Sequence, residues 1–150
     1  MADSIREKVL KEIFSRISTV PAFAGTPPRV FRSRTALVAR NEMPAAIVMP
    51  LNEDPVEVTN CRVKKTLMVV ILVCVHSDTP DQAADPIITD IHKCLMPTID
   101  GRTNVNFDDM PGVQDVSEAG IQFKIDGYDG TIPFGIAVKY SHSQGNPTVL

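Results

Sequence analysis

The sequence predicts an α+β fold: a mostly antiparallel sheet with two helices packed on one face. Three observations carry this. Residues 4–18 and 80–96 repeat their apolar side chains at helical spacing. Residues 63–75 alternate as a strand whose two faces both become apolar from Leu67 onward. Residues 121–140 then read as a closing hairpin.

The first helix opens with Ser4 and Glu7 at capping-box spacing. Ile5, Val9, Ile13, Phe14 and Ile17 form its apolar stripe, with Arg6, Lys8, Lys11, Glu12 and Arg16 off it. Pro21 stops it, and residues 21–28 (PAFAGTPP) read as a loop. Within 29–44, Val30 to Arg32 suits a short strand and Thr35 to Asn41 a helical turn. Residues 45–51 (AAIVMPL) read as a strand, with a turn expected at Asn52-Glu53-Asp54-Pro55. Residues 56–61 then form a second strand or one side of a long hairpin arm.

Val63 to Val75 is the central element. Leu67, Val69, Ile71, Val73 and Val75 share one face; Met68, Val70, Leu72 and Cys74 share the other. Thirteen extended residues span roughly 40 Å, so one end is expected to project or bend. Two helices on one face leave the Met68 face uncovered, a patch that a neighbouring subunit would bury.

Thr79 suits the cap of the second helix, with Pro80 in its first turn. Pro86 predicts either a kink or a start at Asp85. Ile87, Ile88, Ile91 and Leu95 supply the buried side, and Pro97 ends the helix. Residues 98–119 are acidic and weakly periodic, as in a functional or mobile connection. In the hairpin, Gly127 to Gly130 make the turn, and Pro133 places the last strand at an edge or a bulge. There are no internal repeats, and residues 1–150 are expected to form a single domain.

The net charge of −3 argues against a protein whose main task is gripping nucleic acid. The charge is nonetheless segregated. Arg29, Arg32, Arg34 and Arg40 fall in a stretch without acids. Residues 99–130 hold seven acids and two bases. Surfaces that complement each other rather than themselves make head-to-tail contacts, which close into rings. The candidate contact residues are therefore those four arginines, the apolar Met68, Val70 and Leu72, and the acids Asp108, Asp109, Asp115 and Glu118. No signal peptide is visible, and the apolar run from Leu67 to Val75 is too short to span a bilayer. Three irregularly spaced cysteines, Cys61, Cys74 and Cys94, fit a reducing compartment.

Catalytic motifs are missing: no G-x-S-x-G elbow, Walker loop or dinucleotide fingerprint occurs. Cys74 and His76 would share a strand face, but His92 and Cys94 point apart on a helix, a poor start for a metal site. Asp126 to Gly130 lacks the alternating acids and closing glutamate of a calcium loop. Asp108-Asp109 reads as solvated loop charge. No catalytic, cofactor or metal site is expected.

Several features together carry a resemblance. They are the opening amphipathic helix, the P-A-A-I-V-M-P strand from Pro44, and R-V-K-K-T-L-M-V-V-I-L-V-C-V from Arg62. The D-x-x-D-Q-A-A-D-P-I segment from Asp78 and the closing strand to Lys139-Tyr140, with its polar tail, complete the set. The whole chain resembles the tail-terminator and tail-completion family of long-tailed phages, the lambda minor tail protein U type. The resemblance implies a single tail-terminator-like domain that forms a hexameric ring in the virion. Such a ring caps the tail tube protein, stops its polymerisation and presents a surface to the head–tail connector protein. DNA passes through it without sequence-specific binding. It implies no enzyme activity, cofactor or membrane. Two other readings stand beside it: a neck or head–tail connector of similar fold, and a small α+β ligand-binding module or enzyme. The latter requires convergent polar groups in a pocket.

Overall fold

A computed structural model describes residues 3–59, 61–95 and 113–148. Helices α1 (Ile5–Ile17) and α2 (Pro80–Leu95) lie on one face of a six-stranded sheet. Its strands are β1 (Val30–Arg32), β2 (Ala45–Thr59), β3 (Arg62–His76), β4 (Val113–Ile121), β5 (Lys124–Asp126) and β6 (Asp129–Ser143). The order across the sheet is β1-β2-β3-β6-β4, with β5 also on β6. Only β1–β2 is parallel. The expected α+β class, with both helices on one face, is what the chain adopts.

The alternation along β3 decides which face the helices take. Leu67, Val69, Ile71, Val73 and Val75 are buried, with Val69, Ile71 and Val73 at 0% exposure. Their neighbours on β6 are Val138, Ile136, Phe134, Ile132 and Gly130. Across this layer lie Val9, Ile13 and Ile17 of α1, and Ala84, Ile91 and Leu95 of α2. Leu10 is fully part of the core, whereas Phe14, expected in the stripe, is only partly buried. Gly130 must be glycine because an added Cβ would stand 2.9 Å from Val75 and 3.0 Å from Pro80. The start of α2 thus rests directly on β6.

Ser4 caps α1 by accepting the Glu7 N–H at 3.1 Å. The Glu7 carboxylate is drawn away to Arg32, so this half of the capping box is what forms. In α2 the helix begins at Pro80 and runs through Pro86. Pro86 is exposed, so the lost bond to the Gln82 carbonyl lies on the solvent side, where water can replace it.

Three expectations change. There is no reversal at Asn52 to Pro55: β2 runs on to Thr59, and register shifts at Pro50/Asn52 and Pro55/Glu57 absorb the two prolines as bulges. β2 and β3 stay paired out to Thr59 and Arg62, with Cys61 at φ +67°, so residues 51–59 and 61–66 form a hairpin arm. Pro133 lies on an interior strand, between β3 and the β4–β5 ribbon. Its carbonyl accepts from Gln122 at 3.1 Å, in the break between β4 and β5. Pro133 has no N–H to return to the Gln122 carbonyl, and β4 pairing ends at that position. Of the connection expected at 98–119, residues 113–119 belong to β4; the rest lie outside the described residues.

Candidate functional site

The second face of the sheet carries the most distinctive surface. Met68, Val70 and Leu72 of β3 form a partly buried ridge. Their partners on β6 are Ala137, Gly135 and Pro133, which are small. Ile47 and Met49 of β2 flank the ridge on its other side. No charged residue interrupts this ridge and trough. Charge appears only at its ends: Asp115 opposite Lys139 toward the arm, and Arg34 and Asp129 beyond Cys74. An uncharged apolar centre with a polar rim is the composition of a protein–protein contact.

Among the described residues, one segment crosses this face. Residues 34–38 and Met43 line, with Ile47, Leu72 and Cys74, a half-open cavity of about 350 Å³ at one end of the ridge. Cys74 and Ile47 are therefore buried at 5% and 4% exposure, and the expected bare patch is reduced to Met68, Val70 and Leu72. Arg34 holds the segment in place. Its guanidinium forks onto Glu42 at 2.8 and 3.0 Å and donates to the Leu37 carbonyl at 2.9 Å. It also stacks 4.5 Å from the Phe31 ring centre. The Arg34 hydrogen bonds and the Ala39 N–H hold the Glu42 carboxyl down to about 2.

The other arginines of the basic stretch are also engaged within the chain. Arg32 forks onto Glu7 at 2.6 and 2.8 Å, joining β1 to α1 and lowering the Glu7 pKa. Arg29 donates to the Ala22 carbonyl at 3.0 Å. Arg40, the most exposed, stands 3.6 Å from Asp129. Of the expected acidic partners, Asp115 is exposed on β4 and Glu118 faces His92 at 3.2 Å. Asp108 and Asp109 lie outside the described residues. Folding therefore accounts for most of the basic segment's charge without a neighbour. One-dimensional charge segregation carries no signal for such long-range pairs.

Both charged groups that line the cavity under residues 34–38 are engaged within the chain. Arg34 is committed to Glu42. Asp129 accepts from His76 at 2.7 Å, which, with Arg40 nearby, holds its carboxyl below the usual range. Burial pushes the Cys74 thiol up, which disfavours the thiolate a nucleophile requires. Burial likewise raises Cys94, to about 11. His142 is buried on β6, its Nδ1 2.7 Å from the Ser143 carbonyl. Among the described residues, no three His, Cys, Asp or Glu side chains are grouped to hold a metal ion. Nor is any helix among them long and apolar enough to cross a membrane.

No protein-family model matches this chain, and no curated protein matches it. The surface chemistry and the sequence pattern are what bear on function.

Proposed function

We propose that this chain is a structural virion protein of a long-tailed phage, located at the tail or neck. It forms a ring, six copies round, that caps the tail tube, ends its polymerisation and provides the surface for head–tail joining. The observation that carries the reading is the uncharged apolar face of Met68, Val70 and Leu72, opposite the face that the two helices cover. Support also comes from the sequence pattern, from the engagement of the cavity's charged groups within the chain, and from a net charge unsuited to gripping DNA.

The energetics suit an assembly that needs a template. The three ridge residues are already partly buried, so completing their burial contributes about 0.5–1 kcal/mol apiece, a fraction of full side-chain burial. One such boundary is weak beside an association cost of about 4–15 kcal/mol. Ring closure and a tube end add contacts that a single pair lacks.

The test is to mix purified protein with tail tubes and, separately, with connector rings, and to image both in negative stain. Rings seated on tube ends are expected. Protein that decorates connector rings and ignores tubes would make it a neck connector. A monomer that binds neither would overturn the proposal.

A further inference from the structure

Two exposed apolar patches lie outside the sheet-face contact, at opposite ends of β3. Beside Arg62, the hairpin arm carries Val56 and Val58, at 63% and 59% exposure. Beside His76, β5 and its flanks carry Phe123, Ile125 and Tyr128, at 55%, 44% and 59%. Val58 pairs Val63, and Ile125 pairs Gly130, the partner of Val75, so roughly 40 Å of extended chain separates the patches. Within one chain, neither patch can cover the other.

Phe123 of the patch beside His76 borders a shallow, open groove. Phe123 forms one wall; Asp81, Gln82, Asp85 and Pro86 of α2 form the other, around about 410 Å³. Pro86 has no N–H, so the Gln82 carbonyl lacks its usual helical donor and remains an acceptor on that wall. Asp81 and Asp85 have no ion-pair partner among the described residues. Residues 78–86 and 122–129 hold Asp78, Asp81, Asp85, Asp126 and Asp129 against Lys124 alone. An apolar wall faced by carboxylates and a carbonyl suits an apolar segment flanked by cations.

The arm is such a segment. Glu53 is tied to Arg6 and Glu57 to Lys64, leaving Arg62 and Lys65 against Asp54. Pro50, Pro55 and two register shifts break the row of donors along β2. That disfavours strand addition at this edge and leaves side-chain docking as its contact. The arm also continues the strands of the open sheet face, so one neighbour can engage both.

We propose that the arm of one copy seats Val56 and Val58 in the Phe123 groove of a second copy. Lys65, on the same strand face as Val63 and its partner Val58, then faces that copy's Asp81 and Asp85. The two patches differ and lie at opposite ends, so the contact is head-to-tail and propagates round a ring. The inference rests on the ring reading and supplies its second contact.

Cys61, exposed at the arm tip, provides half of a crosslink, and Gln82→Cys provides the other half in the groove. A short bis-maleimide added to purified Gln82→Cys protein should give a covalent ladder extending beyond the dimer. The ladder should be absent from the parent protein and from the Cys61→Ser, Gln82→Cys double variant. It should also vanish when Asp81 and Asp85 are both changed to Lys in the Gln82→Cys protein, with circular dichroism unchanged. A ladder that survives loss of Cys61, or that stops at the dimer, overturns the head-to-tail arm contact. Rings seen by native mass spectrometry without a ladder overturn the arm contact and leave the ring reading standing. Protein that neither crosslinks nor assembles, alone or on tail tubes, overturns both.

Discussion

The two faces of β3 are almost equally apolar in sequence, yet the fold treats them differently. On one face Val69, Ile71 and Val73 vanish beneath two helices. On the other, Met68, Val70 and Leu72 stay partly open, beside small residues that leave the ridge standing proud. Hydrophobicity alone thus does not mark the core. What the helices cover serves stability, and what they leave open stays in contact with solvent.

The largest expected effect lies on the covered side. Ile71→Ala should destabilise the monomer by about 2–5 kcal/mol, because it leaves a cavity in a fully packed layer. Val70→Ala, one residue away, should cost under about 1 kcal/mol, and urea unfolding of the two variants reads the contrast directly. Equal losses would mean that both faces are core, and the distinction would fail.

Val70→Lys sharpens the comparison from the open side. The lysine stem can lie along the apolar ridge with its charge in solvent. The monomer should keep its unfolding midpoint to within about 1 kcal/mol, while ring formation on tail tubes is lost. If the variant still caps tubes, the open face is not the contact.

A smaller effect is expected where residues 34–38 cross that face. Arg34→Ala removes the fork to Glu42 and the bond to the Leu37 carbonyl. Maleimide should then label Cys74 several-fold faster than in the parent, as followed by peptide mass. An unchanged rate would mean that other contacts hold the segment.

The subtlest prediction concerns Glu42. Its folded pKa lies below the ordinary 4.5. Its pairing therefore contributes fully above that pH and is lost as pH falls toward about 2. A carboxyl NMR titration should place its midpoint near 2; a midpoint near 4.5 would show that the fork to Arg34 does not form.

Much of the fold was legible because it rests on periodicity. The alternation of β3, the stripes of both helices and the turn at Gly127 are local patterns. The arm was obscured because Asn52 to Pro55 carry turn chemistry, while long-range pairing to β3 keeps them extended. The length of β3 was the available signal, since a strand of 15 residues calls for a partner of similar length. The arginine pairs were hidden for a different reason. Arg32 meets Glu7 across 25 residues, a meeting that only the packing of β1 beside α1 creates. The apolar ridge Met68, Val70 and Leu72 was readable in advance; its partial cover by residues 34–38 was not, because that segment has no periodicity to follow.

The central claim is that the open sheet face is completed by another copy in a closed ring. Its most direct test is the mass of the assembly released from capped tail tubes, measured by native mass spectrometry. The account predicts a species of six copies of the 16.4 kDa chain, lost in Val70→Lys. A single copy per tube end, or a ring that forms equally well with Val70→Lys, would contradict it.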